Sequence, residues 1–251
     1  MKIKKSIVDN RRESILKYID DKEETSTQEL VDTFNVSEIT IRRDLSFLES
    51  IGKIVRFYGG AKINKNNDGK NLVLENKKDR IAQKCAEFIN EYDDIFINSS
   101  STALLVLKYL KNKRINVITN NARALFLDID PHVNVTLTGG KISYPKNALT
   151  GIFAINNLKI LASDITIIGI SGISKEGELT TSLMDEVEIN QYMINESTSK
   201  NILVCDSSKF SKTANFRTGT LANIDIVITD DDLDRESIEM LEKNKVQLIL
   251  V

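Results

Sequence analysis

The stretch Val36-Ser-Glu-Ile-Thr-Ile-Arg-Arg-Asp-Leu-Ser-Phe-Leu-Glu49 constrains this chain most, because a helix start, an apolar stripe and a cationic face share it. Ser37 suits an N-cap: its hydroxyl can accept from a first-turn backbone N–H that otherwise has no partner, worth about 1 kcal/mol. At about 100° per residue, Ile41, Leu45 and Leu48 fall on one stripe. Ile39, Arg43 and Ser46 fall opposite it, with Thr40 and Arg42 on the flanks. One side packs and the other carries positive charge, a pattern that predicts a helix reading duplex DNA.

Such reading has to rest on local charge, since the 251 residues carry a net charge of only −2, too little to coat nucleic acid or membrane indiscriminately. Between residues 42 and 62, Arg42, Arg43, Lys53, Arg56 and Lys62 face only Asp44 and Glu49, so the charge gathers at the helix and the segment after it. Cys85 and Cys205 are far apart and in no ligand-spaced cluster, which predicts reduced thiols and no metal. His132, the single histidine, is expected in a surface loop, so no catalytic relay and no catalytic residue is assigned. No cofactor is implied. The absence of a signal-like or membrane-length apolar run makes a cytoplasmic protein with no membrane partner the expectation.

The flanks of the stretch sharpen it. Residues 8 to 21 have a helical period set by Arg11, Arg12, Ile15, Leu16 and Ile19, and Asp20 to Glu24 reads as a polar loop. Ser26-x-x-Glu29 has the form of a capping box opening a second helix, with Leu30, Val31 and Phe34 inward. Only Asn35-Val-Ser37 separates that helix from the third, a helix-turn-helix spacing. Gly52 can end the third helix in the left-handed region. Ile54, Val55, Phe57 and Tyr58, with Gly59-Gly60, then predict a β-wing whose Lys53, Arg56 and Lys62 suit phosphate contact.

Ser26 to Ile63 resembles the DNA-binding domain of the DeoR family of bacterial regulators, through Glu29-Leu30, Val36 to Glu49, Gly52 and Arg56 to Ala61. The resemblance implies a double-stranded DNA operator bound by an oligomer, a homodimer or homotetramer. Ser37, Thr40, Arg42, Arg43, Ser46, Lys53 and Arg56 are the DNA-binding candidates, and an arginine that grips guanine with two hydrogen bonds discriminates by about 1–3 kcal/mol.

The expected domains are a winged helix-turn-helix over 1–62, a linker over 63–76 around the polar Asn64 to Asn71, and an α/β domain over 77–251. A helix with Ile81, Cys85 and Phe88 opens the last. Apolar runs of strand length follow at 94–97, 115–118, 133–137, 165–168, 202–205, 224–228 and 246–251, mostly with helical spacers, which predicts a mainly parallel sheet. Ligands gather beyond the carboxyl ends of such strands. There lie Asn98-Ser-Ser-Ser-Thr102, Thr119-Asn-Asn121, Thr138-Gly-Gly140, Gly169-Ile-Ser-Gly172 and Asp206-Ser-Ser-Lys-Phe210. Hydroxyls and amides at a helix start suit an anion such as phosphate.

This region also resembles the DeoR sensor domain, at Thr119-Asn120, Leu137 to Gly140, Gly151, Gly177 with Thr180-Thr181, Glu186, Asp206 to Phe210 and Thr229-Asp230. The resemblance implies a Rossmann-like α/β fold similar to ribose-5-phosphate isomerase, with a phosphorylated sugar as effector. By that likeness Ser99, Ser101 and Thr102 hold phosphate and Lys209 adds charge, while Asn120, Glu186 and the loop from Gly169 to Gly172 face the sugar.

The chain departs from the family at Asn98 (usually aspartate), Ser100 (usually glycine, so strain is expected), Ser171 (acidic or amide) and Asn190 (lysine or arginine). These changes imply altered sugar recognition. The leading reading is a repressor of sugar metabolism genes. A DNA-binding protein with a vestigial sensor and a sugar-phosphate isomerase-like enzyme remain alternatives.

Overall fold

A computed structural model describes residues 2–50, 52–57, 59–64 and 69–251. The chain divides into two compact units, Met1–Val73 and Leu74–Val251.

In the first unit, α1 (Lys2–Lys22), β1 (Glu24–Ser26), α2 (Thr27–Phe34), α3 (Glu38–Ser50), β2 (Ile54–Phe57) and β3 (Gly60–Ile63) follow in order. The strands form an antiparallel sheet in the order β1-β3-β2. Ile15 and Ile19 of α1, Leu30 of α2, and Ile41, Leu45 and Leu48 of α3 form the core with Ile54 and Ala61, so the spacing of apolar residues set which helix faces turned inward. Gly52 (φ 72°) ends α3 in the left-handed region, its N–H bonding Glu49 O at 2.9 Å.

Two local expectations change in this unit. The expected loop over Asp20 to Glu24 is instead the end of α1, through Lys22, and the start of β1, where Glu24–Ser26 pairs with β3 and buries Thr25; three residues are too few for a readable alternation. Ser26 does cap the Glu29 N–H (3.1 Å), but the Glu29 carboxylate accepts from Tyr18, Thr25 and Lys22. Tyr58 of the expected wing lies outside the described residues.

The next helix, α4 (Gly69–Ala86), contains the unit boundary, and the second unit takes it from Leu74 onward. This corrects the linker at its C-terminal side, where residues 69–76 are helical; residues 65–68 of it lie outside the described residues. Half-buried Leu74 and Lys78 continue the stripe of Ile81 and Cys85 one and two turns back, which gives this polar segment a packed face. There follow β4 (Asp94–Ile97), α5 (Ser101–Leu105), β5 (Ile115–Thr119), β6 (Val133–Leu137), β7 (Lys141–Ser143), β8 (Ala148–Thr150), α6 (Ile152–Leu158) and β9 (Ser163–Ile168). Then come β10 (Gly172–Ile173), β11 (Glu178–Thr181), α7 (Val187–Asn195), β12 (Ser197–Val204), β13 (Phe216–Thr220), β14 (Ile226–Thr229), α8 (Arg235–Lys243) and β15 (Gln247–Leu250).

The seven apolar runs became one parallel sheet, ordered β15-β14-β12-β9-β4-β5-β6. Both faces are covered: Ile95 and Ile97 pack with Ile81, Cys85 and Leu107, while Phe96 packs on the other side with Ile155, Ile189 and Met193. Burial on both faces is why these strands read as unbroken apolar runs. A hairpin β7–β8 and a small antiparallel sheet β10-β11-β13 stand outside it. Among the described residues no helix is long and apolar enough to cross a membrane.

Candidate functional site

The exposed face of α3 carries the DNA-reading candidates. Ser37 Oγ accepts from the Thr40 N–H (3.3 Å) and meets Thr40 Oγ1 (2.9 Å), so both hydroxyls finish the helix start. Arg42 reaches back one turn to Glu38, with Nε to Oε1 at 2.9 Å, while Arg43 stands exposed. Ser46 Oγ donates to Arg42 O (2.8 Å) and accepts from Arg56 Nη1 (2.8 Å), which ties β2 to the helix. Half-buried Lys53 follows Gly52 in the connecting turn. All seven named residues thus stand on α3, its cap or the start of the wing. Asp44 is a further functional support that the pattern did not single out: it is 1% exposed and accepts from Arg11 Nε (2.6 Å) and Arg12 Nε (3.0 Å), anchoring α3 to α1.

In the larger unit the strand order reverses at β4, whose neighbours are β5 and β9. Loops leaving a parallel sheet at such a point diverge and leave a crevice. Here a cleft of about 320 Å³ is lined by Asn98 to Thr102 after β4, by Gly169 to Ser171 after β9 and by Lys209 after β12. Lys78, Arg123, Lys146 and Glu186 add charged groups to its wall. The first and second loops touch so closely that a Cβ on Gly169 would overlap Ser100 Oγ and Cβ.

Ser100 caps α5 at φ −66°, in ordinary extended backbone, so the expected strain is absent. Glycine is needed on the opposite side of the contact instead. Asn98 holds the two loops together: its Nδ2 donates to Gly169 O (2.8 Å) and Asn190 Oδ1 (3.0 Å), and its Oδ1 accepts from the N–H of Gly169 (3.0 Å) and of Ser100 (3.2 Å).

Six of the eight effector candidates line this cleft: Ser99, Ser101, Thr102, Gly169, Glu186 and Lys209. Asn120 does not. It is buried after β5, where its Nδ2 bonds Leu149 O (3.3 Å) because β8 lies across that loop. Gly172 is also outside, paired with Thr180 in the small sheet. Ser99 lines the cleft, but its hydroxyl donates to Glu186 Oε1 at 2.6 Å, so its proton serves that carboxylate and not a bound phosphate. Glu186, 1% exposed, also takes Lys146 Nζ (2.6 Å) and the Thr181 hydroxyl on Oε2.

Lys78, Arg123 and Lys146, which also line the cleft, were not foreseen. Lys146 comes from the β7–β8 turn, for which no local pattern exists. Lys78 did leave a signal, a lysine on the apolar stripe of α4. Burial lowers its pKa below the ordinary 10.5, with Lys209 pushing the same way and Asp206 and Glu75 opposing. Neither Lys78 nor Lys209 has a side-chain hydrogen bond or ion pair among the described residues. An arrangement of two unpaired ammonium groups beside Ser101 and Thr102 can bind an anion.

Residues 11–67 match the DeoR-like helix-turn-helix domain and residues 74–231 the DeoR C-terminal sensor domain. An uncharacterized helix-turn-helix transcriptional regulator of Haemophilus influenzae is 32% identical, covering 99% of each chain. The glycerol-3-phosphate regulon repressor of Escherichia coli is 30% identical over 96% of this chain and 98% of its own. Among solved structures, ribose 5-phosphate isomerase A of Methanocaldococcus jannaschii matches 54% of each chain with 14% identity and a TM-score of 0.40. With both domains matched in order along its length, the chain belongs to the DeoR family of helix-turn-helix transcriptional regulators.

Proposed function

We propose that this regulator is a cytoplasmic repressor of sugar metabolism genes whose hold on its operator is set by a phosphorylated sugar in the cleft after β4, β9 and β12. The observation that carries the reading is the pair Lys78 and Lys209, both lacking an acceptor among the described residues, beside the Ser101 and Thr102 hydroxyls. A phosphate dianion supplies the missing acceptors. Glu186, buried and held by Lys146, Ser99 and Thr181, fixes the wall of the same space. The relative named for a glycerol-3-phosphate regulon supports a phosphorylated polyol as the effector class.

The chain binds as a homodimer or homotetramer in this reading, because paired readers match paired half-sites. The unit Met1–Val73 reads and the unit Leu74–Val251 senses. Regulation requires that the effector bind the state with low DNA affinity better than the DNA-bound state. The chain binds its ligand without transforming it: among the described residues lining the cleft, Glu186 is the only carboxylate, and it is committed to Lys146, Ser99 and Thr181.

A second reading, a DNA-binding protein with a vestigial sensor, has one observation in its favour: Asn98 and Glu186 are both fully engaged by neighbouring groups. One experiment separates the two. The full chain is titrated onto labelled operator in the presence of phosphorylated and unphosphorylated sugars. At least one phosphorylated sugar weakens the complex, and Lys78→Ala or Lys209→Ala abolishes that response while leaving DNA affinity unchanged. Lys209→Ala responding like the native chain rules out the cleft assignment, and no response to any phosphorylated sugar favours the vestigial sensor.

A further inference from the structure

The reading face of α3 contains one residue that neither packing nor helix propensity explains. Ile39 is 72% exposed, whereas Ile41 and Leu45 of the same helix are fully buried. Its β-branched side chain is a mediocre helix former, and exposing it to water gains nothing for the fold. Ile39 is the second residue of α3, on the face shared by Arg42, Arg43 and Ser46 at three, four and seven positions on.

The polar groups around it are already oriented. Glu38 holds the Arg42 guanidinium, and the Ser46 hydroxyl lies between Arg42 O and Arg56. Ile39 is therefore a fixed apolar contact within a cationic surface. A second copy of the same face is a poor partner for it, because two-fold pairing would set arginines against arginines.

Duplex DNA answers both properties. Its phosphates complement the arginines, and its major groove displays one apolar handle, the 5-methyl group of thymine. The first turn of a helix lying in that groove is the part that reaches base edges. We propose that Ile39 reads a thymine methyl in each operator half-site, beside the bases addressed by Arg42 and Arg43. This rests on the DNA-reading function of α3 and adds to it the identity of one base.

The test uses the full chain and duplexes that it selects itself from a randomised pool at fixed salt. Each thymine of the selected sequence is replaced singly by deoxyuridine, which removes the methyl and keeps the hydrogen-bonding edge. At one thymine per half-site the exchange weakens native binding about fourfold, the value of one buried methyl. Ile39→Ala, which keeps its fold because the side chain is exposed, loses the preference at that position and becomes indifferent to the exchange.

The assignment is overturned if no uridine weakens native binding, or if Ile39→Ala keeps the full penalty. It is equally overturned if Ile39→Ala dissociates the oligomer in sedimentation, which would make Ile39 a contact between copies. A native chain that selects no sequence overturns DNA reading itself, and Ile39's role with it; a shared consensus with an unaltered penalty in Ile39→Ala removes Ile39's role alone.

Discussion

Asn98 Nδ2 donates to Asn190 Oδ1 across 3.0 Å, and both side chains are buried. The DeoR resemblance implies opposite charges at these two positions; here two neutral amides meet. Asn98→Asp removes the donor to Gly169 O and Asn190 and buries a charge without a cation. It destabilises the larger unit by about 2–3 kcal/mol, and adding Asn190→Lys recovers part of the loss. Urea unfolding of the full chain measures both, and an unchanged midpoint for Asn98→Asp would refute the role of this amide.

Asp44 joins the reading helix to α1 through Arg11 and Arg12, and Arg12 also stacks on Phe47 at 3.9 Å. Asp44→Ala leaves two partly buried guanidinium groups without their carboxylate, at a cost of about 2–3 kcal/mol to the smaller unit. Operator affinity falls with it, although Asp44 is buried away from the reading face. Calorimetry of the full chain should show a transition lowered by about 10 °C or more, as a unit of this size loses 4–8 °C per kcal/mol.

Lys146 gives Glu186 its only cation among the described residues, at 2.6 Å. Lys146→Met leaves the carboxylate with the hydroxyls of Ser99 and Thr181, costing about 1–2 kcal/mol because Lys146 is itself partly exposed. The β7–β8 turn also loses its hold on Ser171 and Thr181, where Lys146 Nζ stands at 3.4 Å. Thermal melting without ligand reports the first effect, and the midpoint shift with a phosphorylated sugar reports the second.

If the cleft takes a phosphate as proposed, its binding depends on pH through Lys78. Its pKa is lowered in the free protein by burial and by Lys209, and a bound phosphate raises it. Between the free and the bound values the complex takes up a proton, so affinity is full below the free value and declines as pH rises through it. That decline starts below the ordinary lysine value of 10.5. Calorimetric titration in buffers of different ionisation enthalpy measures the uptake directly; Lys78→Met removes it.

The parts that were legible share a physical cause. Parallel strands covered on both faces leave continuous apolar runs, and all seven such runs became strands of the main sheet. Ser101, Thr102, Gly169 and Lys209 could be placed together because their loops follow strand ends, where a parallel sheet opens. The two smaller strand groups of the larger unit were not legible, being built from strands of two to five residues whose partners lie elsewhere. Pairings such as Asn98 with Asn190 and Lys146 with Glu186 span 92 and 40 residues, and no local period encodes them. Asn120 and Gly172 were misplaced for the same reason: what covers a loop is set by distant chain, here β8 and β11.

The contact between Gly169 and Ser100 restricts the order in which the protein can evolve. Position 169 cannot accept any side chain while position 100 carries one, whereas Ser100 can shrink to glycine freely at the level of space. A lineage leaving this arrangement must therefore change position 100 first. Even then the Val204 carbonyl, 3.2 Å from a Cβ at 169, has to give by a few tenths of an ångström. The mouth of the cleft can thus be remodelled through one position ahead of the other, and mutational scans of the two sites taken singly would miss that dependence.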